Sequence, residues 1–378
     1  MTTGRLLAAL TALLFAAVDA GASESAVDLR NGAVFVMTNQ YTNAVLAYNR
    51  GPNGALTRVG RFVTGGHGNP VPQGTDPSIN PLASQGSLVL SADGRYLLAA
   101  NAASNEISVF RIYDVALALV DIKPSGGSRP VSIAVADGLI YVLNEGGTPN
   151  VTGFRLSEYG QLQPIEGSTR GLPSGRLADP AQIALSPDGR RLVVTEKLSN
   201  LIGVYPVFAN GRTGAVQVTP SEGVTPCGFA FAGLARLVVT EARNDTAAKA
   251  AASSYAIVAG NVLDTLSRSV RDYQTGACWA TVTRDRRFAF VSNPGSGEVS
   301  SYRIGSDGRL TLLDPTASET DALSYPIDMA LSRDDQFLYV HLAGRKTIAQ
   351  FRVGLDGKLR RTASATELPF GSQGIAAL

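Results

Sequence analysis

The chain has 378 residues, 44% of them hydrophobic and 17% charged, with 40 Gly, 19 Pro and a formal net charge of only +2. That is the composition of a globular protein with ample apolar material for a core. Lys and Arg are scattered rather than clustered, which excludes the basic footprint of a nucleic-acid or anionic-membrane binder, so no partner of either kind is expected.

The N-terminus carries Arg5, an apolar run from Leu6 to Val18 and a small-residue site at Ala20-Gly21-Ala22. This is the pattern of a secretory signal peptide over residues 1–22. The apolar run is shorter than the roughly 20 residues that span a bilayer. A linker over 23–31 then leads into a repeat domain over 32–378, and the mature protein is expected to be secreted or periplasmic, where disulfides persist.

From Gly32 onward one kind of apolar segment recurs seven times, ending at Asn39, Asn101, Asn144, Glu196, Glu241, Asn293 and Leu342. Two of the copies are identical: RLVVTE occupies Arg191 to Glu196 and again Arg236 to Glu241. Most copies are preceded by a second apolar segment, starting at Gln85, Pro130, Pro180, Pro226, Ala277 and Pro326. Hairpin signals such as Asp93-Gly94 and Asp188-Gly189 lie between the two. A third and a fourth segment follow, separated by turns such as Asp307-Gly308 and Asp356-Gly357. Four short strands, A to D, in units of about 45 residues are the pattern of propeller blades, and seven units predict an all-β, seven-bladed β-propeller. The apolar runs are continuous because neighbouring blades cover both faces of each sheet. Blade 1 begins with strand B, and its missing strand A is expected at the C-terminus, where GSQGIAAL (Gly371 to Leu378) echoes ASQGSLVL (Ala83 to Leu90).

In such a blade strand A begins, and strand B ends, on one face of the disc. The long loops Gly65 to Ala83, Gly167 to Ala178 and Ala242 to Ser254 fall on that face, which is therefore the expected functional face. The strand-B ends supply Asn39, Asn101, Asn144, Glu196, Glu241 and Asn293. The starts of strand A supply Ser87, Ser132, Gln182, Trp279 and Asp328 to the same axial mouth. Glu196 and Glu241 are the candidate catalytic pair, because two adjacent carboxylates raise a pKa unless compensated. Asn39, Asn101, Asn144, Gln182, Trp279, Asn293 and Asp328 are candidate substrate-binding residues, with Arg129, Arg243 and His67 within reach. The competing expectation for these polar residues is structural: side chains at strand ends often just accept bonds from loop N–H groups. Of the two histidines, His341 is expected to be packed and hydrogen-bonded in blade 7. Cys227 and Cys278 occupy the same slot of strand A in blades 5 and 6, and either bridge or remain buried thiols; bridging requires Cα atoms within about 7 Å. There is no Ser-His-Asp spacing, phosphate loop or Cys/His zinc pattern. No cofactor is expected, except a divalent cation if Glu196, Glu241 and the Asn oxygens converge.

The segments SADGRYLLAANAASNEISVFRI, SPDGRRLVVTEKLSN and PIDMALSRDDQFLYV resemble the lactonase family of seven-bladed propellers, which includes bacterial phosphogluconolactonase and fungal carboxymuconate cyclase. The resemblance covers residues 32 to 378 and is greatest to the exported branch. It implies a His, Arg and Glu set near the axis, with Pro-Arg-His in blade 4 followed by a strand ending Asn-Glu. Glu196 matches that glutamate, whereas Pro180-Ala181-Gln182 lacks the Arg and His, and Ser87 and Ser132 stand where a histidine is expected. Two functions follow as expectations. One is a monomeric lactonase-like hydrolase or cyclase acting on a small organic substrate, with Glu196 as general base. The other is a non-catalytic propeller binding a ligand or protein of the cell envelope.

Overall fold

The computed structural model describes residues 27–70, 79–365 and 367–378. The signal-peptide segment and linker residues 23–26 lie outside these. Of the rest of the linker, Leu29 is buried and donates its N–H to Asp114 O at 2.7 Å, so the chain is already packed against blade 2 before Gly32.

Seven antiparallel sheets form the expected ring. Blade 4, for example, runs Pro180–Leu185, Arg191–Glu196, Leu201–Pro206 and Gln217–Pro220 as strands A to D. Blade 3 adds a short strand, Arg170–Gly171, against its strand C. Strands B and C are buried on both faces, as in Tyr96–Asn101 and Phe288–Asn293, because β-branched and aromatic side chains of neighbouring blades interleave between the sheets. Strand D, at the outer edge, is a mixture of exposed and partly buried positions with few buried ones.

Blade 1 is completed from the other end of the chain. Strand Ile375–Ala377 pairs antiparallel with Ala33–Met37, Ile375 opposite Val36 and Ala377 opposite Val34. Around it Gln373 N donates to Met37 O at 3.1 Å, Leu378 N to Ala33 O at 2.9 Å, and Leu82 N to the Gln373 amide oxygen at 2.8 Å.

Strand A of each blade lies against strand A of the next, around the axis. Its inner edge has no sheet partner, and an unpaired buried amide costs about 1–3 kcal/mol. The chain satisfies these amides with side chains from another blade. Ile183 N donates to Ser132 Oγ at 3.2 Å, Phe229 N to Gln182 Oε1 at 2.5 Å, and Ile375 N to Asp328 Oδ2 at 3.3 Å. In strands A of blades 3, 4, 5 and 7 a register shift frees the residues involved, between Pro130 and Ser132, Pro180 and Gln182, Pro226 and Phe229, and Ile327 and Met329. Such bulges re-aim side chains at a sheet edge.

Blade 2 goes further. Its strand A is only Leu88–Leu90, because Ser84 and Gln85 leave the sheet and cross the axis. Gln85 accepts from Ala280 N at 3.0 Å and donates to Ala280 O at 2.7 Å in blade 6, while its own N–H reaches Ala181 O in blade 4 at 3.2 Å. Ser84 Oγ donates to Val131 O at 2.7 Å, and Ser84 O accepts from both Trp279 Nε1 and Gln373 Nε2. The axis is therefore plugged rather than open.

Two outcomes test this closure. Deleting Gly371 to Leu378 removes several bonds worth about 1 kcal/mol each net, so Tm should fall by several degrees; an unchanged Tm contradicts the closure. Asp328 is fully buried, and desolvation raises its pKa to about 7 despite N–H bonds from Met329 and Ile375 that favour the charged form. A folded-state pKa above the unfolded value of 3.8 means the native state binds the extra proton, so this residue's contribution to stability declines as pH rises from 3.8 to about 7. Urea unfolding of Asp328→Asn should therefore show a stability difference from wild type that moves in the variant's favour across that window; a difference independent of pH contradicts it.

Candidate functional site

Above the plug, on the face where strand A begins, lies a cavity of about 550 Å³. Its floor holds Trp279 and the Cys227–Cys278 disulfide, which joins strands A of blades 5 and 6 with Cα atoms 4.9 Å apart. Ile79, Asn80 and Ala83 from the long first loop cover one side, and Tyr325 and Ile327 of blade 7 another.

The charged groups of the cavity are Asp179, Lys197 and Asp245, with Thr225, Asn80 and Tyr325 as further polar residues. Lys197 Nζ donates to Ala83 O at 3.0 Å and pairs with Asp179 Oδ1 at 3.2 Å. An ammonium has three N–H donors, so one remains for a ligand. Asp245 stands on a short turn in which Arg243, Asn244 and Asp245 are all left-handed, with φ of 53°, 54° and 52°. Thr225 braces that turn: its hydroxyl donates to Asn244 Oδ1 at 2.7 Å and accepts from Asn244 N at 3.2 Å. The Asp245 carboxyl accepts no hydrogen bond among the described residues and lies against Gly276, where a Cβ would come within 2.9 Å of Oδ1. Desolvation pushes its pKa above the ordinary aspartate value, and the charge of Lys197 pulls it back. Left-handed backbone at a non-glycine residue costs of order 1–3 kcal/mol and concentrates at functional sites.

The rim repeats this strain. Arg129, Asp179, Thr225 and Tyr325, each immediately before a proline at or near the start of strand A, have φ of 54°, 43°, 58° and 45°; in blades 4, 5 and 7 that proline opens the strand. Arg129 ties the rim to the covering loop, with Nη1 at 2.9 Å from Glu145 Oε1 and Nη2 at 2.9 Å from Pro81 O. Burial pushes the Glu145 carboxyl up, against the pull of Arg129 and Lys197.

The sequence-derived residues divide into three groups. Trp279, Cys227 and Cys278 line the mouth cavity. Gln182 and Asp328 line a second chamber of about 300 Å³ below Gln85, whose walls mix polar and apolar groups. The strand-B ends do not face the mouth: Asn39, Asn101, Asn144, Glu241 and Asn293 have no exposed surface and Glu196 only 1%. Asn101 Nδ2 donates to Ser108 Oγ at 2.7 Å and Asn293 Nδ2 to Ser300 Oγ at 2.9 Å, both on strand C. Asn144 bonds Asn150, and Asn39 anchors Asn69 and Gly371. Glu196 accepts from Ser199 Oγ at 2.8 Å, whereas Glu241 accepts from Ser253, from Ser269 at 2.6 Å, and from Arg243 at 3.4 Å. The two glutamates share no partner, and among the described residues no three His, Cys, Asp or Glu side chains are gathered as for a metal ion.

The mouth is faced instead by the residue one place on, such as Lys197, Ala242 and Pro294. His67 lies outside the cavity: its ring stacks on Tyr41 with centroids 4.2 Å apart, and Nδ1 is 2.9 Å from Tyr41 O. His341 is buried as expected, but its Nδ1 has no partner among the described residues, and desolvation lowers its pKa to about 3.

The chain matches the family model described as lactonase, seven-bladed beta-propeller, over residues 21–256 and 252–372. No curated protein matches it in sequence. Among solved structures it is similar to a protein from Lactobacillus plantarum, with a TM-score of 0.70 at 18% identity over 92% of this chain and 99% of that one. It is also similar to the periplasmic gluconolactonase PpgL of Pseudomonas aeruginosa, with a TM-score of 0.67 at 15% identity over 92% and 99%. A functionally unknown protein from Desulfotomaculum acetoxidans gives 0.66 at 14% over 92% and 98%. At these identities the likeness is one of fold. With the family match spanning nearly the whole described chain, this protein belongs to the lactonase family of seven-bladed β-propellers.

Proposed function

We propose that the protein is an exported lactonase that hydrolyses the lactone of a small hydroxy acid in the mouth cavity. The observation that carries this reading is an unpaired carboxylate, Asp245, displayed on a strained turn over a cavity that also holds the Lys197 ammonium. A cavity of about 550 Å³ suits a small ligand. In this mechanism a water attacks the lactone carbonyl carbon while Asp245 takes its proton. The free N–H of Lys197 stabilises the oxyanion of the tetrahedral intermediate. Collapse breaks the ring C–O bond, and the proton on Asp245 passes to the departing alkoxide, giving the hydroxy acid. Trp279 and the disulfide form the wall beneath the ring.

Glu196 and Glu241 are buried within their own blades, and only Glu241 is a positioning residue in this scheme. Glu241 restrains Arg243 at the start of the turn that carries Asp245. Export is supported by the N-terminal pattern around Arg5 and Leu6 to Val18, by the Cys227–Cys278 bridge, which persists in oxidising compartments, and by the periplasmic description of PpgL.

Purified protein should be assayed on a panel of sugar and aliphatic lactones. Asp245→Asn and Lys197→Met should each lower kcat/KM by about 100-fold with the fold intact by circular dichroism. The acid limb of kcat/KM should lie above the ordinary aspartate range and shift further up in Lys197→Met, since the ammonium favours the charged carboxylate. Wild-type rates in both variants contradict the assignment, as does a folded Glu196→Gln that alone abolishes turnover. Saturable binding of lactones by wild type without any turnover would assign the cavity to ligand binding instead.

A further inference from the structure

On the face opposite the mouth, the turns between strands A and B of blades 2, 4, 6 and 7 share an aspartate held in the same way. Asp93, Asp188, Asp285 and Asp334 each accept from a Ser or Thr hydroxyl two residues earlier and from the backbone N–H two residues later. Blade 5 breaks this pattern: its turn, Ala232-Gly233-Leu234-Ala235-Arg236, is one residue shorter, closing from Ala232 N to Arg236 O, and carries no aspartate; Leu234 at its tip is 54% exposed.

The adjoining turn of blade 6 departs as well. Arg286 stands where blades 2 and 4 have Gly94 and Gly189, and all three are left-handed, with φ of 61°, 72° and 66°. A left-handed arginine costs roughly 1–2 kcal/mol that glycine avoids. The two departures face one another across a cleft of about 720 Å³ that holds Arg236, Arg286 and Arg287 against a single carboxylate, Asp285. The equivalent cleft between blades 2 and 3 has the opposite character, with Asp93, Asp137 and Glu158 against Arg95.

Arg236 Nη1 donates to Ser306 O at 2.9 Å and Arg287 Nη2 to Leu355 O at 3.1 Å, which fixes two of the guanidinium groups in place. The Arg286 guanidinium makes no hydrogen bond or ion pair among the described residues, its backbone N–H closing the turn on Thr283 O at 2.8 Å. It lies over Gly233, where a Cβ would come within 3.2 Å of its Nη1, so the missing side chain in blade 5 gives it room.

We propose that this cleft is a second ligand site, separate from the mouth, that binds a phosphate dianion, free or as the monoester of a small solute. Guanidinium groups match the tetrahedral oxyanion with paired N–H donors. Three arginines against one aspartate leave the net charge that a dianion neutralises. The blade 5 turn brings no carboxylate to the cleft that would repel it.

Calorimetric titration with inorganic phosphate, at ionic strength held constant with chloride, tests the proposal. Wild type should bind saturably at one site, and affinity should fall at least tenfold in Arg286→Ala. It should fall as far in Leu234→Asp, which adds a carboxylate at an exposed position beside the cleft, with an unchanged Tm in the absence of phosphate showing that the variant is folded. Heats that do not saturate, or binding that both folded variants retain, overturn the proposal. Association with anionic phospholipid vesicles but not with phosphate overturns it too.

Discussion

A ring of seven sheets brings seven strand edges to one axis, and none of them can find a sheet partner there. The rest of the structure depends on how those edge amides are satisfied. Ser132, Gln182 and Asp328 each accept a backbone N–H from strand A of another blade, and Gln85 spans the axis to hold both polar groups of Ala280. These bonds join blade to blade where the strand pairing within each blade cannot. The Cys227–Cys278 bridge adds a covalent tie between blades 5 and 6 at the same level. Because Ser84 and Gln85 fill the axis, the space within the disc splits into a chamber below and a cavity above. Only the upper one gathers an ammonium and unpaired carboxylate oxygen.

The belt also explains how the rim sustains its strain. Four residues before strand-A prolines, and three in succession at Arg243 to Asp245, hold left-handed backbone, each at a cost of order 1–3 kcal/mol. Such conformations persist only where the surroundings over-determine them. Here the strands beneath are fixed by the axial bonds, and the loop above is fixed by Arg129 and Lys197 reaching the carbonyls of Pro81 and Ala83. Polar groups held in this way need little reorganisation when charge develops on a substrate.

The repeat makes the architecture legible in the sequence. Seven RLVVTE-like segments, the hairpin signals and the echo of ASQGSLVL at the C-terminus specify blades, face and closure, because strand pairing follows from short-range pattern. The side-chain direction at the strand-B ends was not readable in the same way. Alternation has a period of two, so an error of one residue exchanges the interior of a blade for the mouth: Glu196 turns to Ser199 while Lys197 faces the cavity. Two features of the sequence carried the missing signal. Ser108 and Ser300 follow Asn101 and Asn293 by seven residues and mark them as internally bonded, and the recurring X-Pro at the start of strand A marks the residue that the rim displays. The crossing of Gln85 had no local signal at all, since its partners in blades 4 and 6 lie far away in the chain.

The axial belt is tested most directly by native-state hydrogen exchange of the Ala280 amide in wild type and in Gln85→Ala. The account predicts protection in wild type comparable to that of the buried strand-B amides, and exchange about 10-fold or more faster in the variant, matching the 1–3 kcal/mol lost when a buried partner is removed. Strand-B amides of blade 3, which touch neither residue, should change only as far as global stability changes. Equal Ala280 exchange in the two proteins, or an unprotected Ala280 in wild type, would contradict the claim that side chains crossing the axis hold the ring together.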